Sequence, residues 1–389
     1  MERIIYLDNA ATTYPKPQIV YDQMDYVNRN LAFNAGRGLY KGAKDAEEII
    51  AETRALIAKL VNVNRSEYVI LFPSATIALN AIVNGLRWDK AFNIYVSPFE
   101  HNSVLRPLYK ISKKGNIKII ELPFNKETFE WDIDKTKKLF EENKPDYVFI
   151  THISNVTGFI LPVKEISTLA KQYGAKVVLD AAQSMGLINL DLYEVNADFV
   201  VFAGHKNLYG PFGVGGFIAN PKSYSKEVLE PFVVGGTGSD SLNLEMPESL
   251  PQRFEAGSPN IVAIAGLNAA LKWISKKKGE MERKEKELTQ ILIEELRDLE
   301  IELYLPLDLQ NHMGIVSLNL DGYRADEVSY ILDRRFNVAT RAGFHCAAFV
   351  HRFLGTVERG GTVRISVGYF NNENEIKYLV DCLKKIIAY

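Results

Sequence analysis

Cysteine is scarce in this sequence: two in 389 residues, Cys346 and Cys382. Two thiols cannot form a disulfide framework, and their separation is not that of a metal-ligand pair. No metal site is therefore expected. Excess charge is also missing, since 46 Lys and Arg face 48 Asp and Glu for a net charge of −2. That balance gives no electrostatic reason for a nucleic acid or an anionic membrane as partner. Long apolar runs are absent too. The opening stretch MERIIYLDNAATTYP holds no run of signal-peptide length, and no later segment is long enough to span a bilayer. Internal repeats and low-complexity blocks do not occur. What remains is an expectation of a cytoplasmic, reduced protein whose cysteines stay available as thiols.

What is present points to an α/β chain. With 47% hydrophobic and 24% charged residues the composition is that of an ordinary globule, and the length calls for a large domain plus a smaller one. Short apolar runs alternate with longer helical stretches. EYVILF (67–72), FNIYVS (92–97), IKIIEL (117–122), DYVFIT (146–151), KVVLDAA (176–182) and DFVVFAG (198–204) read as strands. TIALNAIVNGL and ISTLAKQYG (166–174) read as helices between them. Alternation of this kind predicts a mostly parallel sheet covered on both faces, with ligands collecting at the carboxyl ends of its strands. After EAGSPN (255–260) the character changes to a smaller α+β segment. It opens with a helix over about 261–276 that leads into a second, charged helix, and it ends on an amphipathic helix. The boundary is placed near residue 257, giving a large domain over 13–257 and a small one over 258–389.

The strand ends carry unusual residues. Asp180 follows a buried-type strand, where a carboxylate either caps the next helix or meets a protonated ring nitrogen, and Gln183 lies three residues on. Lys206, beside His205, follows another strand. A lone lysine is ordinarily a solvated charge, but one desolvated at a strand end near an acid can form a Schiff base. Ser74, Ala75 and Thr76 stand where a strand turns into a helix, a place that suits either an ordinary cap or a phosphate. His101, just past FNIYV, is either a structural imidazole or a flat ring that stacks on another. Asn155 is a neutral amide at one more strand end. Taken together, these groups supply a phosphate cup, a stacking ring, a ring-nitrogen carboxylate and an amine along one sheet edge. That set suits pyridoxal phosphate.

The motifs YLDNAATT, SPFEHNS, SNVTG, LDAAQS, GHKNLYGP, RFEAGSPN, RAGFHCA and VRISVGYFN, in this order from residue 6 almost to the end, resemble those of cysteine desulfurases. These are class V, fold type I, pyridoxal phosphate enzymes, and the likeness is to the branch with a short cysteine loop shared with selenocysteine lyases. The resemblance implies a seven-stranded, mostly parallel sheet in the large domain, with roughly residues 1–12 joining the small one. It implies that Lys206 holds the cofactor, that Asp180 pairs with its pyridine nitrogen, and that Gln183 bonds its phenolate oxygen. His101 would stack on the ring, and Ala75, Thr76 and His205 would hold the phosphate. Asn155 and Arg364 would bind the substrate carboxylate, with Arg341 a helper. Ser258 would reach the phosphate of a neighbouring subunit, which implies a homodimer. Cys346 would accept sulfur from L-cysteine as a persulfide, with His345 and nearby cations favouring its thiolate. A sulfur-acceptor protein, as in iron–sulfur cluster assembly, is an implied partner. Ala203 stands where members often carry Ser or Thr.

Rival expectations are a selenocysteine lyase, a transaminase or kynureninase-like enzyme of the same fold, and a catalytically silent binding protein. The cysteine in RAGFHCA argues against the second, and retention of Lys206, Asp180 and Cys346 together argues against the third. Cys382, in YLVDCLKKII with Leu379 and Ile386 on one stripe, reads as a buried core thiol. The Lys/Glu run over 276–299 reads as a solvated helix face.

Overall fold

A computed structural model of the chain describes residues 4–35, 38–239 and 242–388. A two-residue strand, β1 (Ile5–Tyr6), precedes the main sheet. That sheet is formed by β2 (Val69–Phe72), β3 (Phe92–Val96), β4 (Ile117–Glu121), β5 (Tyr147–Thr151), β6 (Lys176–Asp180), β7 (Phe199–Ala203) and β8 (Gly215–Ala219). Its order is β2-β8-β7-β6-β5-β3-β4. β8 runs antiparallel to both of its neighbours, and the remaining pairings are parallel. The carboxyl ends of β2, β3, β5, β6 and β7 therefore lie along one edge, as the alternating pattern predicts.

Strand side chains alternate between two cores. Tyr95, Val148, Ile150, Val177, Leu179, Val200 and Phe202 join the core on one face. Ile94, Val96, Tyr147, Phe149, Val178, Phe199 and Val201 join the core on the other. Period-two alternation with both sides apolar is what a helix-covered parallel sheet requires. Each predicted strand of this sheet appears at its expected place, shorter by a residue or two at the ends.

The second unit is a four-stranded antiparallel sheet in the order β12-β13-β10-β9. Its strands are β9 (Ile301–Tyr304), β10 (Ile315–Leu320), β12 (Arg341–Gly343) and β13 (Thr362–Ser366), with β11 (Val338–Ala339) beside it. Helices 325–336 and 373–387 cover it, and Cys382 is wholly buried among Leu379, Leu383 and Ile386. Residues 5 to 8 pair with this unit. β1 pairs with β11, Asp8 bridges Ser366, and Leu7 is buried in the same core.

The sequence suggests two helices after residue 260, but the structure has one, Ile261–Arg297. The expected join near residue 276 is continuous; Gly279 lies inside the helix, and a Cβ there would meet nothing within 4 Å. An exposed glycine costs a helix about 1 kcal/mol relative to alanine, too little to end it. Pairs such as Lys277–Glu280 and Arg283–Glu287 carry the turns past that point on a solvated face. The helix begins just past the expected boundary at 257 and runs through both cores, Ile261 to Met281 in the larger and Leu288 to Leu296 in the smaller. No helix among the described residues is long and apolar enough to cross a membrane.

Candidate active site

At the carboxyl edge of the main sheet lies a cavity of about 200 Å³. Its wall includes Lys206, Asp180, Gln183, His101, Asn155, His205, Ala75, Thr76, Arg341, Arg364 and Cys346. Every residue singled out from the sequence as a site residue is thus brought together, except Ser258. Ser258 is exposed and lines a different cavity, of about 700 Å³.

Lys206 follows β7 and is half-buried on the cavity wall, and the loss of water around it brings its amine down to about 8. Asp180 opposes the effect from the end of β6. Burial also raises the Asp180 carboxyl, against the pull of the Ala182 amide, which its Oδ1 accepts at 2.9 Å, and of Lys206. His101 caps the helix Asn102–Ser112. Its Nδ1 accepts the Ser103 amide at 3.0 Å, so the ring proton resides on Nε2. Burial lowers this imidazole to about 3, and the ring stays neutral. His205 is lowered to about 3 for the same reason, and its ring stacks on Phe212.

Ala75 and Thr76 open the helix Ala75–Gly85, which Ser74 caps by accepting the Ile77 amide at 3.2 Å. The first amides of such a helix have no intrahelical partner and face an anion favourably. Gly215 on β8 lets this turn approach closely. A Cβ there would come within 2.8 Å of the Ala75 nitrogen and 2.9 Å of the Ser74 carbonyl carbon.

The smaller unit closes the cavity. Arg364 on β13 is fully buried and donates from Nη2 to Asp8 at 2.6 Å and from Nη1 to the Asn155 carbonyl at 2.9 Å. Its Nε is buried without a partner. Arg341 lies directly opposite it on β12 and is exposed. The opening segment grips the Lys206 turn. Thr12 Oγ1 donates to the His205 carbonyl at 2.9 Å, and Thr13 Oγ1 donates to the Lys206 carbonyl at 3.0 Å. Lys16, lowered to about 7 by burial, donates to the same His205 carbonyl at 2.7 Å. Gln183 is tied to this segment through a bond from Nε2 to the Ala10 carbonyl at 2.9 Å.

Cys346 is exposed in a turn where both it and His345 adopt left-handed backbone, with φ of 56° and 45°. Two consecutive non-glycine residues in that region cost about 1–2 kcal/mol each. The His345 ring does not serve the thiol as the sequence suggests. It is buried and bonds Thr362 through Nε2 at 3.0 Å, and burial holds it well below its ordinary value, so it is neutral.

Reading the sequence alone misses Asp8, Lys16 and Glu100. Glu100 is completely buried; its Oε1 accepts the Ser97 hydroxyl at 2.6 Å and the Thr151 amide at 2.7 Å. Burial raises its carboxyl to about 8. Asp8 and Glu100 stand inside the motifs YLDNAATT and SPFEHNS, and that membership is the signal that was available.

The family model for class-V aminotransferases matches residues 5–379. A probable cysteine desulfurase of Pyrococcus abyssi is 32% identical over 99% of this chain and 95% of its own length. One from Methanothermobacter thermautotrophicus is 32% identical over 98% of this chain and 94% of its own. The apo structure of a cysteine desulfurase from Thermococcus onnurineus superposes with a TM-score of 0.91 at 30% identity, covering 99% of this chain and 95% of that one.

Proposed function

The chain belongs to the class-V aminotransferase family, and from that premise we propose that it is a pyridoxal phosphate-dependent cysteine desulfurase. It would convert L-cysteine to L-alanine and carry the sulfur on Cys346. The observation that carries this reading is an exposed thiol on the wall of the same cavity as the Lys206 amine and the buried Asp180 carboxylate. The relatives named above support the same reaction.

The residues fit the cofactor. Lys206 offers an amine of lowered basicity, the helix beginning at Ala75 offers free amides, and Gly215 leaves that turn the space it needs. Ala75, Thr76 and His205 would hold the phosphate, Asp180 the pyridine N–H, and Gln183 the ring oxygen. His101, flat and neutral, would lie against the ring. When bound, pyridoxal phosphate supplies an electron sink that acidifies the substrate's Cα–H and weakens its carbon–sulfur bond.

The chain's own groups do the rest. Arg364, with a buried Nε awaiting an acceptor, would take the substrate carboxylate together with Asn155, and Arg341 adds charge at the rim. Lys206 would remove the proton from Cα, since an amine near 8 is partly neutral at physiological pH. Cys346, as the thiolate, would attack the substrate sulfur. The new S–S bond forms as the substrate's C–S bond breaks, and its electron pair stays with the carbon, which takes a proton to become the alanine methyl. The balance is L-cysteine plus Cys346 thiol giving L-alanine plus Cys346 persulfide. Ser258, exposed outside its own cavity, suits service to a second copy, so the working unit would be a homodimer.

The experiment is alanine and persulfide production from L-cysteine by wild type and Cys346→Ala. We expect the variant to bind cofactor normally and to lose alanine production. Full alanine production by the variant would remove Cys346 from the reaction.

A further inference from the structure

The Cys346 turn is tied to the carboxylate subsite through one side chain. Asn155 Nδ2 donates to the His345 carbonyl at 2.8 Å, the peptide oxygen immediately before Cys346. The Asn155 backbone carbonyl accepts Arg364 Nη1 at 2.9 Å. On its other side the turn is held by the Asn102 amide, which donates to the Cys346 carbonyl at 2.6 Å. Asn102 is the residue after His101. The turn needs such ties, because His345 and Cys346 both hold left-handed backbone that L-residues leave readily. An amide nitrogen carries two hydrogens, and one remains on Asn155 for a ligand in the cavity that the residue lines.

We propose that Asn155 is a positioning residue for the nucleophile, its amide holding the Cys346 turn with one N–H and the substrate carboxylate with the other. Arrival of a carboxylate then steadies the turn from which the thiol attacks. A substrate lacking the carboxylate would meet a looser thiol. The inference rests on the proposed desulfurase reading for its choice of ligand, but the tie between Asn155 and the turn stands on geometry alone.

Hydrogen–deuterium exchange of the peptide covering 341–349 in the holoenzyme tests it, with Asn155→Leu as the shape-preserving variant and Asn155→Ser as a second. Without ligand, both variants should exchange about three- to tenfold faster there than wild type, the range that one net hydrogen bond supports. L-alanine should slow exchange of this peptide in wild type and not in the variants, while ethylamine, which lacks the carboxylate, should slow it in neither. Equal ligand-free exchange in wild type and both variants would overturn the proposal, and so would equal protection by L-alanine in all three. If the ligand-free difference holds but L-alanine protects no cavity peptide, the tie stands and the amino-acid substrate falls.

Discussion

Glu100 offers a measurement that isolates one buried proton. The folded protein holds this proton up to about pH 8, whereas the group's ordinary value is 4.5. Between those values the native state binds more protons than the unfolded chain, so stability falls as pH rises. From pH 5 to pH 8 the three units amount to about 4 kcal/mol at 1.36 kcal/mol per unit. Glu100→Gln keeps an oxygen that can accept from Ser97 and Thr151 but cannot ionise. A chain of this length loses roughly 0.8 kcal/mol per degree at its transition, from about 2.1 cal/mol/K per residue. The melting temperature of wild type should therefore drop by about 5 °C more than that of Glu100→Gln between pH 5 and pH 8. Glu285, also buried and raised to about 8, contributes equally to both proteins and cancels in the difference. Scanning fluorimetry at the two pH values measures it. Parallel profiles would refute the assignment of a neutral Glu100, whatever the absolute stabilities.

Two further expectations concern the walls of the cavity. Gly215→Ala places a methyl against the backbone of Ser74, Ala75 and Phe202, all at 2.9 Å or less, and backbone cannot swing aside. It should cost about 1–3 kcal/mol and weaken pyridoxal phosphate binding, measured by equilibrium titration of the apoprotein. Asp8→Ala strips the buried Arg364 of its carboxylate. With Asp8 itself 17% exposed, the loss should be near 3 kcal/mol, the low end for a broken buried pair. Asp8→Asn, which keeps an acceptor, should lose less than half as much in the same thermal assay.

The sheet and most of the cavity were legible because both follow from local pattern. Period-two strands set the layers, and Asp180, Lys206, His101, Asn155 and Ser74 were conspicuous for standing where apolar strands stop. What stayed hidden depends on distant partners. Nothing near Asn155 in sequence says that its amide meets the His345 carbonyl, 190 residues away. His345 beside Cys346 suggests a charge for the thiolate, yet burial against Thr362 makes it neutral. The two helices expected to meet near residue 276 are one, because packing on both sides of the join, which local pattern does not display, carries the helix through it. Ser258 lies away from the cavity that the other site residues line, and the role proposed for it belongs to a second copy.

The strap formed by residues 5 to 16 also has a consequence in time. Its partners are Val338 and Ala339 through β11, Ser366, and the carbonyls of His205 and Lys206. A ribosome releases residue 5 hundreds of residues before it releases residue 338. Its pairing with β11 and Ser366 must therefore wait while the main sheet assembles behind it. Only when the last antiparallel strands emerge can residues 5 to 10 be sewn into place. Arg341, Cys346 and Arg364 arrive with those same strands, so the nascent chain completes the wall of its cavity last.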